Sequence, residues 1–487
     1  MTRRTKIVAT VGPASETRAT LLALIVAGVD VVRLNLSHGD VADHLQRLAD
    51  VRAVAEKVGK PVAVLADLPG PKIRSGGFPD GGVTLMSGDT VKLIAGDGPS
   101  DGHTIQVDYD HLLTDLRHGC SVSLGDGAIS FRVDRITDDF AEATVVSGGQ
   151  ATGSPGVHLP SDTVRLTTPT EEDLVLAEKM AAAGVEFIAV SFVRRADDVR
   201  RVADVVAGRA QLVSKIETAA ALDDLDTILD TTDAVMVARG DLGIDCPIED
   251  VPHLQKRIIR SCVEVGVPVI TATQMLESMI NSPAPTRAEV SDVANAVFDG
   301  TDAVMLSGET AIGRDPVNVV RTMSDIAERA EAEASYRGWA ARLANVQRDW
   351  HDLAADDEPS YRVDDRITMA LTHAASEASI DIGATAILCC THSGRTARAM
   401  ARFRPRVPLL GLSPDPQTVR SMALMWGVSP VEVDRYSSTD EMVWFAVEVA
   451  VSQGAVRHGD TVVVLAGAPT ETGSSVATNV LRIVRVS

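Results

Sequence analysis

Residues Ala234-Val235-Met236-Val237-Ala238-Arg239-Gly240-Asp241-Leu242-Gly243 decide the fold. Five apolar residues in a row, partly β-branched, read as a strand buried on both faces, the habit of parallel sheets covered by helices. The run breaks at Arg239-Gly240-Asp241 and turns toward a helical segment. An acidic residue just past a buried parallel strand can supply a fixed oxygen to a hard divalent cation. Upstream, Leu212-Val213-Ser214-Lys215-Ile216-Glu217 repeats the pattern. Lys215 and Glu217 stand two apart and so share one face of an extended strand. One ammonium and two carboxylates from neighbouring strand ends would suit a metal and a phosphate together. A surface salt-bridge cluster would use the same residue types, so the rest of the chain must decide.

Working outward, Lys6–Val11 reads as a strand ending in Gly12-Pro13-Ala14-Ser15, with Ser15 expected to cap a helix over Glu16–Ala27. Val31–Leu36 follows, with Arg33, Asn35 and Ser37 on one face, a polar stripe in a buried run. Unpaired, each such group costs a few kcal/mol, so a ligand or an internal network is required. His38 reads as a structural hydrogen-bonding residue. A third strand, Val62–Ala66, runs into Asp67-Leu68-Pro69-Gly70-Pro71-Lys72-Ile73-Arg74. Short alternating runs between Gly- and Asp-rich turns then predict an all-β insertion, including Thr90–Ile94, Ser121–Leu124, Ile129–Val133 and Ala143–Val146.

Beyond it the strand–helix rhythm resumes, with strand ends at Val190-Ser191-Phe192, Lys215/Glu217, Asp241, Thr271–Gln274 and Leu306–Thr310. Eight such units predict a (β/α)8 TIM barrel with its site at the C-terminal mouth. A doubly wound sheet would need a phosphate loop, and no GxGxxG or Walker A pattern occurs. The expected division is a barrel over 1–70 and 162–334, a β-rich lid domain over 71–161, a linker over 335–365 and a C-terminal α/β domain over 366–487. In that last domain the expected helices are Ile367–Ile382, Arg395–Arg402, Pro416–Met425 and Thr439–Ser452. Its expected strands are Ala386–Cys390, Pro408–Leu412, Val431–Val433, Thr461–Leu465 and Val480–Val486. Thr391-His392-Ser393-Gly394-Arg395-Thr396 precedes one of those helices and reads either as an anion site or as a capped helix start.

With 487 residues, 45% of them hydrophobic and 3% aromatic, the chain can build aliphatic cores for several domains. A net charge of −21 disfavours nucleic acid and anionic membranes as partners. Five cysteines without metal or redox spacing, no signal peptide and no apolar run of membrane length lead us to expect a soluble, cytoplasmic protein.

Eight segments in order then resemble the pyruvate kinase family: TKIVATVGPAS (5–15), VVRLNLSHG (31–39), DLPGPKIR (67–74), SKIE (214–217), VMVARGDLG (235–243), TATQMLESM (271–279), PTRAEVSDVANAVFDG (285–300) and LSGET (306–310). The resemblance implies an α/β protein with an inserted lid and a C-terminal effector domain, usually a homotetramer. It would transfer a phosphoryl group from phosphoenolpyruvate to ADP, giving ATP and pyruvate. By the same resemblance Glu217 and Asp241 hold Mg2+ or Mn2+, Lys215 neutralises the transferring group and Arg33 binds its phosphate. The backbone of Ala238, Arg239, Gly240 and Asp241 cradles the substrate carboxylate. Thr273 stands beside the enolate carbon, with Ser307 and Glu309 as a relay behind it. Asn35, His38, Arg74 and Asp126 face the nucleotide, and a phosphorylated effector binds Thr391–Thr396. A monovalent cation would sit among Asn35, Ser37, Asp67 and Leu68. Here Lys72 stands where potassium-dependent members carry Glu, so its ammonium is expected to replace potassium unless it turns to solvent. A metal-dependent barrel lyase would share the acids without Lys215 or the lid. A metabolite sensor would not need Lys215, Glu217, Asp241 and Thr273.

Overall fold

The computed structural model describes residues 3–125, 127–160, 165, 167–334, 339, 343, 363–436, 438–467 and 477–487. Asp126 and most of the expected linker 335–365 lie outside them.

Three strands open the chain, β1 (Lys6–Thr10), β2 (Val31–Asn35) and β3 (Ala63–Asp67). An insertion follows with β4 (Val83–Leu85), β5 (Thr90–Ala95), β6 (Thr104–Val107), β7 (Ser121–Leu124), β8 (Ile129–Ile136), β9 (Ala141–Ser147), β10 (Gly149–Ala151) and β11 (Val157–His158). Five more strands come next: β12 (Phe187–Val190), β13 (Gln211–Ile216), β14 (Ala234–Ala238), β15 (Val269–Ala272) and β16 (Ala303–Leu306). The first three and the last five close into one barrel, ordered β1-β16-β15-β14-β13-β12-β3-β2, with every pairing parallel. Strand β14 is buried at all five positions, as a strand with side chains packed inside and helices outside must be.

The insertion builds a six-stranded sheet, β11-β7-β8-β9-β5-β6, beside the β10-β4 pair. It has a core of its own around Leu93, Val107, Phe131 and Val145. The C-terminal domain carries β17 (Ala386–Cys390), β18 (Leu409–Ser413), β19 (Val428–Glu432), β20 (Thr461–Ala466) and β21 (Val480–Arg485), ordered β19-β18-β17-β20-β21, with only the β20–β21 pairing antiparallel.

The domain's contact with the barrel positions everything above it. Ala423 and Leu424 belong to the same buried cluster as the barrel-lining Val8, Leu65, Phe187, Val213 and Met236. A 3-10 turn, Met422–Leu424, thus closes the N-terminal end of the barrel. Trp426 beside it is fully buried, and Lys6 Nζ donates to Val428 O at 2.7 Å.

Several local expectations are corrected. Ser15 does not cap the first helix: it bonds back to Gly12, and the helix starts at Arg18 with Thr17 Oγ1 accepting from Thr20 N. Ser37 leaves the polar stripe, because β2 ends at Asn35 and Ser37 N turns back to Asn35 Oδ1 at 3.2 Å. The expected helix Pro416–Met425 stops at Ser421 and tightens into the 3-10 turn. In the insertion β4, β6, β10 and β11 add to the expected strands.

Candidate active site

The C-terminal ends of β2, β3, β12, β13 and β14 converge on one cavity of about 550 Å³, a size usual for a small-molecule site. Arg33, Asp67, Ser191, Lys215, Glu217 and Asp241 line its barrel side. Gly125, Pro155, Gly156, Val157, His158 and Leu159 of the inserted domain line the other. The insertion also reaches across the mouth: a Cβ added at Gly127 would lie 3.4 Å from Ile244, in the helix Arg239–Asp245. The lid therefore lies down over the barrel.

Asp67 is 1% exposed and pairs with both Arg33 and Lys215. Arg33 Nε donates to its Oδ2 at 2.6 Å, and Lys215 Nζ lies 3.3 Å from Oδ1. Arg33 Nη1 also donates to Thr10 Oγ1 at 3.0 Å. This is the internal network that the stripe on β2 required. Lys215 Nζ lies 2.9 Å from Glu217 Oε1 and donates to Ser191 Oγ at 2.7 Å. Glu217 sits one residue past β13, 1% exposed, and its Oε2 accepts from Phe192 N at 2.6 Å. Its Oε1 is buried and accepts no hydrogen bond of good geometry.

Burial would pull the Lys215 ammonium down, but Asp67 and Glu217 outweigh it and hold its pKa above the ordinary value. Burial would raise Asp67, yet Lys215 and Arg33 keep it below the usual carboxylate range. Glu217 goes the other way, pushed up to about 7 by burial and by Asp241, with Lys215 opposing. A buried carboxylate with a raised pKa beside a second carboxylate is what a hard cation would satisfy. Among the described residues no three His, Cys, Asp or Glu side chains group to hold an ion unaided. Two protein carboxylates would leave the remaining positions to water and substrate oxygens.

Thr273, with Ala238, Arg239, Gly240, Ser307 and Glu309, is not among the residues that line the cavity. It has a left-handed φ of 66° and Gln274 one of 53°, a strained conformation for residues with a Cβ. Thr273 Oγ1 donates to Ala272 O at 2.7 Å and accepts from Gly240 N at 2.9 Å. The Arg239 side chain turns away from the mouth to Asp292 (2.7 Å) and Ala272 O (3.0 Å), pinning this loop. Glu309, 2% exposed, accepts from Ser307 N at 2.7 Å and Leu276 N at 3.1 Å. It braces backbone, and its bonds do not run through the Ser307 hydroxyl.

Two family models match this chain: "Pyruvate kinase, barrel domain" over residues 2–320 and "Pyruvate kinase, alpha/beta domain" over residues 369–484. The chain belongs to the pyruvate kinase family. It is 40% identical to a pyruvate kinase of Geobacillus stearothermophilus over 99% of this chain and 80% of that protein. It is 38% identical to one of Clostridium acetobutylicum over 99% of each chain. It is 40% identical to one of Methylorubrum extorquens over 100% of this chain and 98% of the other.

The remaining expected residues of this pyruvate kinase family chain distribute unevenly. Asn35, Ser37, His38, Leu68, Lys72 and Arg74 all line the cavity. Lys72 is exposed on its rim, while the ion pairs of Asp67 are with Arg33 and Lys215. The Lys72 charge is still felt, since burial and then Lys72, Arg74 and Arg33 lower the pKa of His38. Arg74 Nη1 donates to Ser154 O at 3.1 Å inside the lid.

In the C-terminal domain Thr391 and Thr396 are buried, and Thr396 Oγ1 shares a 2.8 Å hydrogen bond with Thr478 Oγ1. His392 and Ser393 are exposed, Gly394 caps the helix Arg395–Ala401, and Arg395 lies 3.9 Å from Asp365. Sequence reasoning missed Thr10, Ser191 and Phe192 as partners of the charged residues. A hydroxyl or amide at a strand end carries no spacing signal, and only their place after barrel strands pointed to them.

Proposed function

We propose that the cavity transfers the phosphoryl group of phosphoenolpyruvate to ADP, with a divalent cation on Glu217 and Asp241 and no monovalent cation requirement. One observation carries this reading: Lys215 and Arg33 converge with the carboxylates Glu217 and Asp241 on one lidded cavity at the barrel mouth. Mg2+ or Mn2+ there would polarise substrate oxygens as a Lewis acid. The bond from phosphorus to the enol oxygen breaks and one to a terminal ADP oxygen forms, with the electron pair left on the enol oxygen. Lys215 and Arg33 neutralise the phosphoryl oxygens as charge spreads over them. Amides at the start of the helix Arg239–Asp245 hold the carboxylate, and the lid excludes water. A proton then reaches the methylene carbon from the Thr273 side. Because the Thr273 hydroxyl is already bonded to Ala272 O, a water chain must reload it. The lid base at Arg74, with Asn35 and His38, faces the nucleotide, and Asp126 belongs to the same proposal.

Potassium independence rests on how the expected pocket is filled. Asn35 Oδ1 accepts from Ser37 N, Leu68 O from Ser191 Oγ, and Asp67 from Arg33 and Lys215. The chain's own donors occupy the oxygens, and Lys72 adds positive charge at the rim. Rates in potassium chloride and in a tetraalkylammonium salt at equal ionic strength and saturating magnesium should agree within about threefold. A tenfold stimulation by potassium would defeat this part, and Lys72→Glu should create a potassium requirement.

The same proposal covers a phosphorylated effector at Thr391–Thr396, a homotetramer and a cytoplasmic setting. Among the described residues no helix is long and apolar enough to cross a membrane. The overall reading is tested by ADP-dependent pyruvate formation from phosphoenolpyruvate; a purified chain that binds both substrates without turnover would overturn it.

A further inference from the structure

The shortest contact of Lys215 is with Ser191, a neutral residue, although two carboxylates flank the ammonium. Ser191 is 2% exposed and directly follows β12. Its hydroxyl bonds are directional by chemistry alone. Leu68 O, 2.7 Å away, can only accept, and the ammonium, 2.7 Å away, can only donate. The single hydroxyl proton therefore goes to Leu68, and a lone pair faces Lys215.

The seat of this hydroxyl is fixed from three sides. Phe192 has φ 53°, and its amide holds Glu217 Oε2 at 2.6 Å. Gly70, at the start of the lid, has φ 68°, and a Cβ there would lie 2.7 Å from the Phe192 ring and 2.9 Å from Ser191 Cβ. Gly70 N is in turn tied to Asp173 Oδ1 at 3.0 Å. One turn, Ser191-Phe192, thus orients both Lys215 and Glu217 and is wedged beneath the lid hinge.

We propose that Ser191 is a positioning residue for phosphoryl transfer, a third anchor that fixes the Lys215 ammonium between Asp67 and Glu217 so that it faces the transferring group. Without the third partner the ammonium would settle deeper between its carboxylates. It would then press closer on the Glu217 oxygen that it already pairs with and that a cation needs, and withdraw from the phosphoryl oxygens. A displacement of about 1 Å at such a site costs on the order of 10²-fold in rate. The inference rests on the phosphoryl-transfer reading above.

The experiment is a double-mutant cycle in the full-length enzyme with Ser191→Ala, Lys215→Met and both together. Ser191→Ala should lower kcat by roughly 10- to 100-fold and leave KM for phosphoenolpyruvate within about threefold. In the Lys215→Met background it should change kcat by less than about twofold. Manganese titrated alone, without substrates, should bind the Ser191→Ala enzyme at least about threefold more weakly. A kcat within twofold of the parent, or a loss that persists undiminished in the Lys215→Met background, overturns the proposal. If Ser191→Ala fails to fold, Ser191→Cys fills the space with a poorer acceptor and should show the same cycle. Full activity of Lys215→Met would instead sink the underlying reading, so the two failures are distinguishable.

Discussion

The barrel buries charge at both ends, paired across a domain contact at its floor and facing a lidded cavity at its mouth. At the floor Asp302 accepts from Arg404 Nη1 at 2.8 Å and Val269 N at 2.9 Å. Glu186 takes Arg52 at 2.7 Å, Arg420 at 2.6 Å and Val64 N at 2.8 Å. Asp30 takes Arg3 at 2.9 Å, Lys60 at 3.0 Å and Ile7 N at 3.0 Å. Arg404 and Arg420 come from the C-terminal domain, and Arg404 also stacks on Trp426 at 4.8 Å. At the mouth a similar density of charge, Lys215 with Asp67 and Glu217, faces a cavity. Ion pairs at the floor fix one domain on another, whereas those at the mouth border a cavity that a ligand can enter.

The contrast breaks most sharply if the two ends are mutated in parallel. Arg404→Met leaves Asp302 buried without its cation and should cost about 3–5 kcal/mol of stability, read by urea denaturation. While folded, the variant should keep kcat within about threefold; a stability loss under 1 kcal/mol would show that the floor is no more committed than the mouth. Lys215→Met should do the reverse. It should lower ATP formation by roughly 10²- to 10³-fold with a smaller stability change, and near-normal turnover would remove Lys215 from the chemistry.

Titration sharpens the comparison further. Burial lowers Lys6 at the floor to about 8, with Asp30 opposing. In the unfolded chain this lysine stays protonated up to its ordinary value of 10.5, so the folded state carries the full penalty below about pH 8. Stability should rise between pH 8 and 10.5 by at most about 3 kcal/mol relative to Lys6→Met. A parallel pH dependence in parent and variant would sink this assignment. Glu217 at the mouth is raised to about 7, so below that pH a proton competes with the cation. Without metal, the folded state binds the extra proton between the ordinary glutamate value of 4.5 and about 7, so the stability contributed by this group falls as pH rises through that window. Apparent manganese affinity should weaken by about tenfold per unit below pH 7, and Glu217→Gln should both weaken and flatten that dependence. A flat profile in the parent would take Glu217 off the ligand set.

The barrel strands were legible because burial on both faces turns them into apolar runs with punctuated ends, as at Ala234–Ala238. Strands of two or three residues such as Val157–His158 offer no period to read. The first helix cap was misplaced because Ser15 and Thr17 both carry suitable hydroxyls, and only the Gly12 turn claims Ser15. At the site, Lys215, Glu217 and Asp241 stood out as charges at buried strand ends. That Asp67 is held by both Arg33 and Lys215 is a fact of barrel closure, which no local pattern encodes.

The floor also has a consequence for how this chain is made. Ala423 and Leu424, which close the bottom of the barrel, emerge from the ribosome only after every barrel strand has been synthesised. At roughly 5–20 residues per second, the nascent barrel spends seconds with its lining open to water at one end. During that interval it is a hydrophobic shaft without a stopper, the kind of surface that chaperones bind and neighbouring chains invade. Premature termination before Leu424 should therefore yield an aggregating fragment in place of a smaller enzyme.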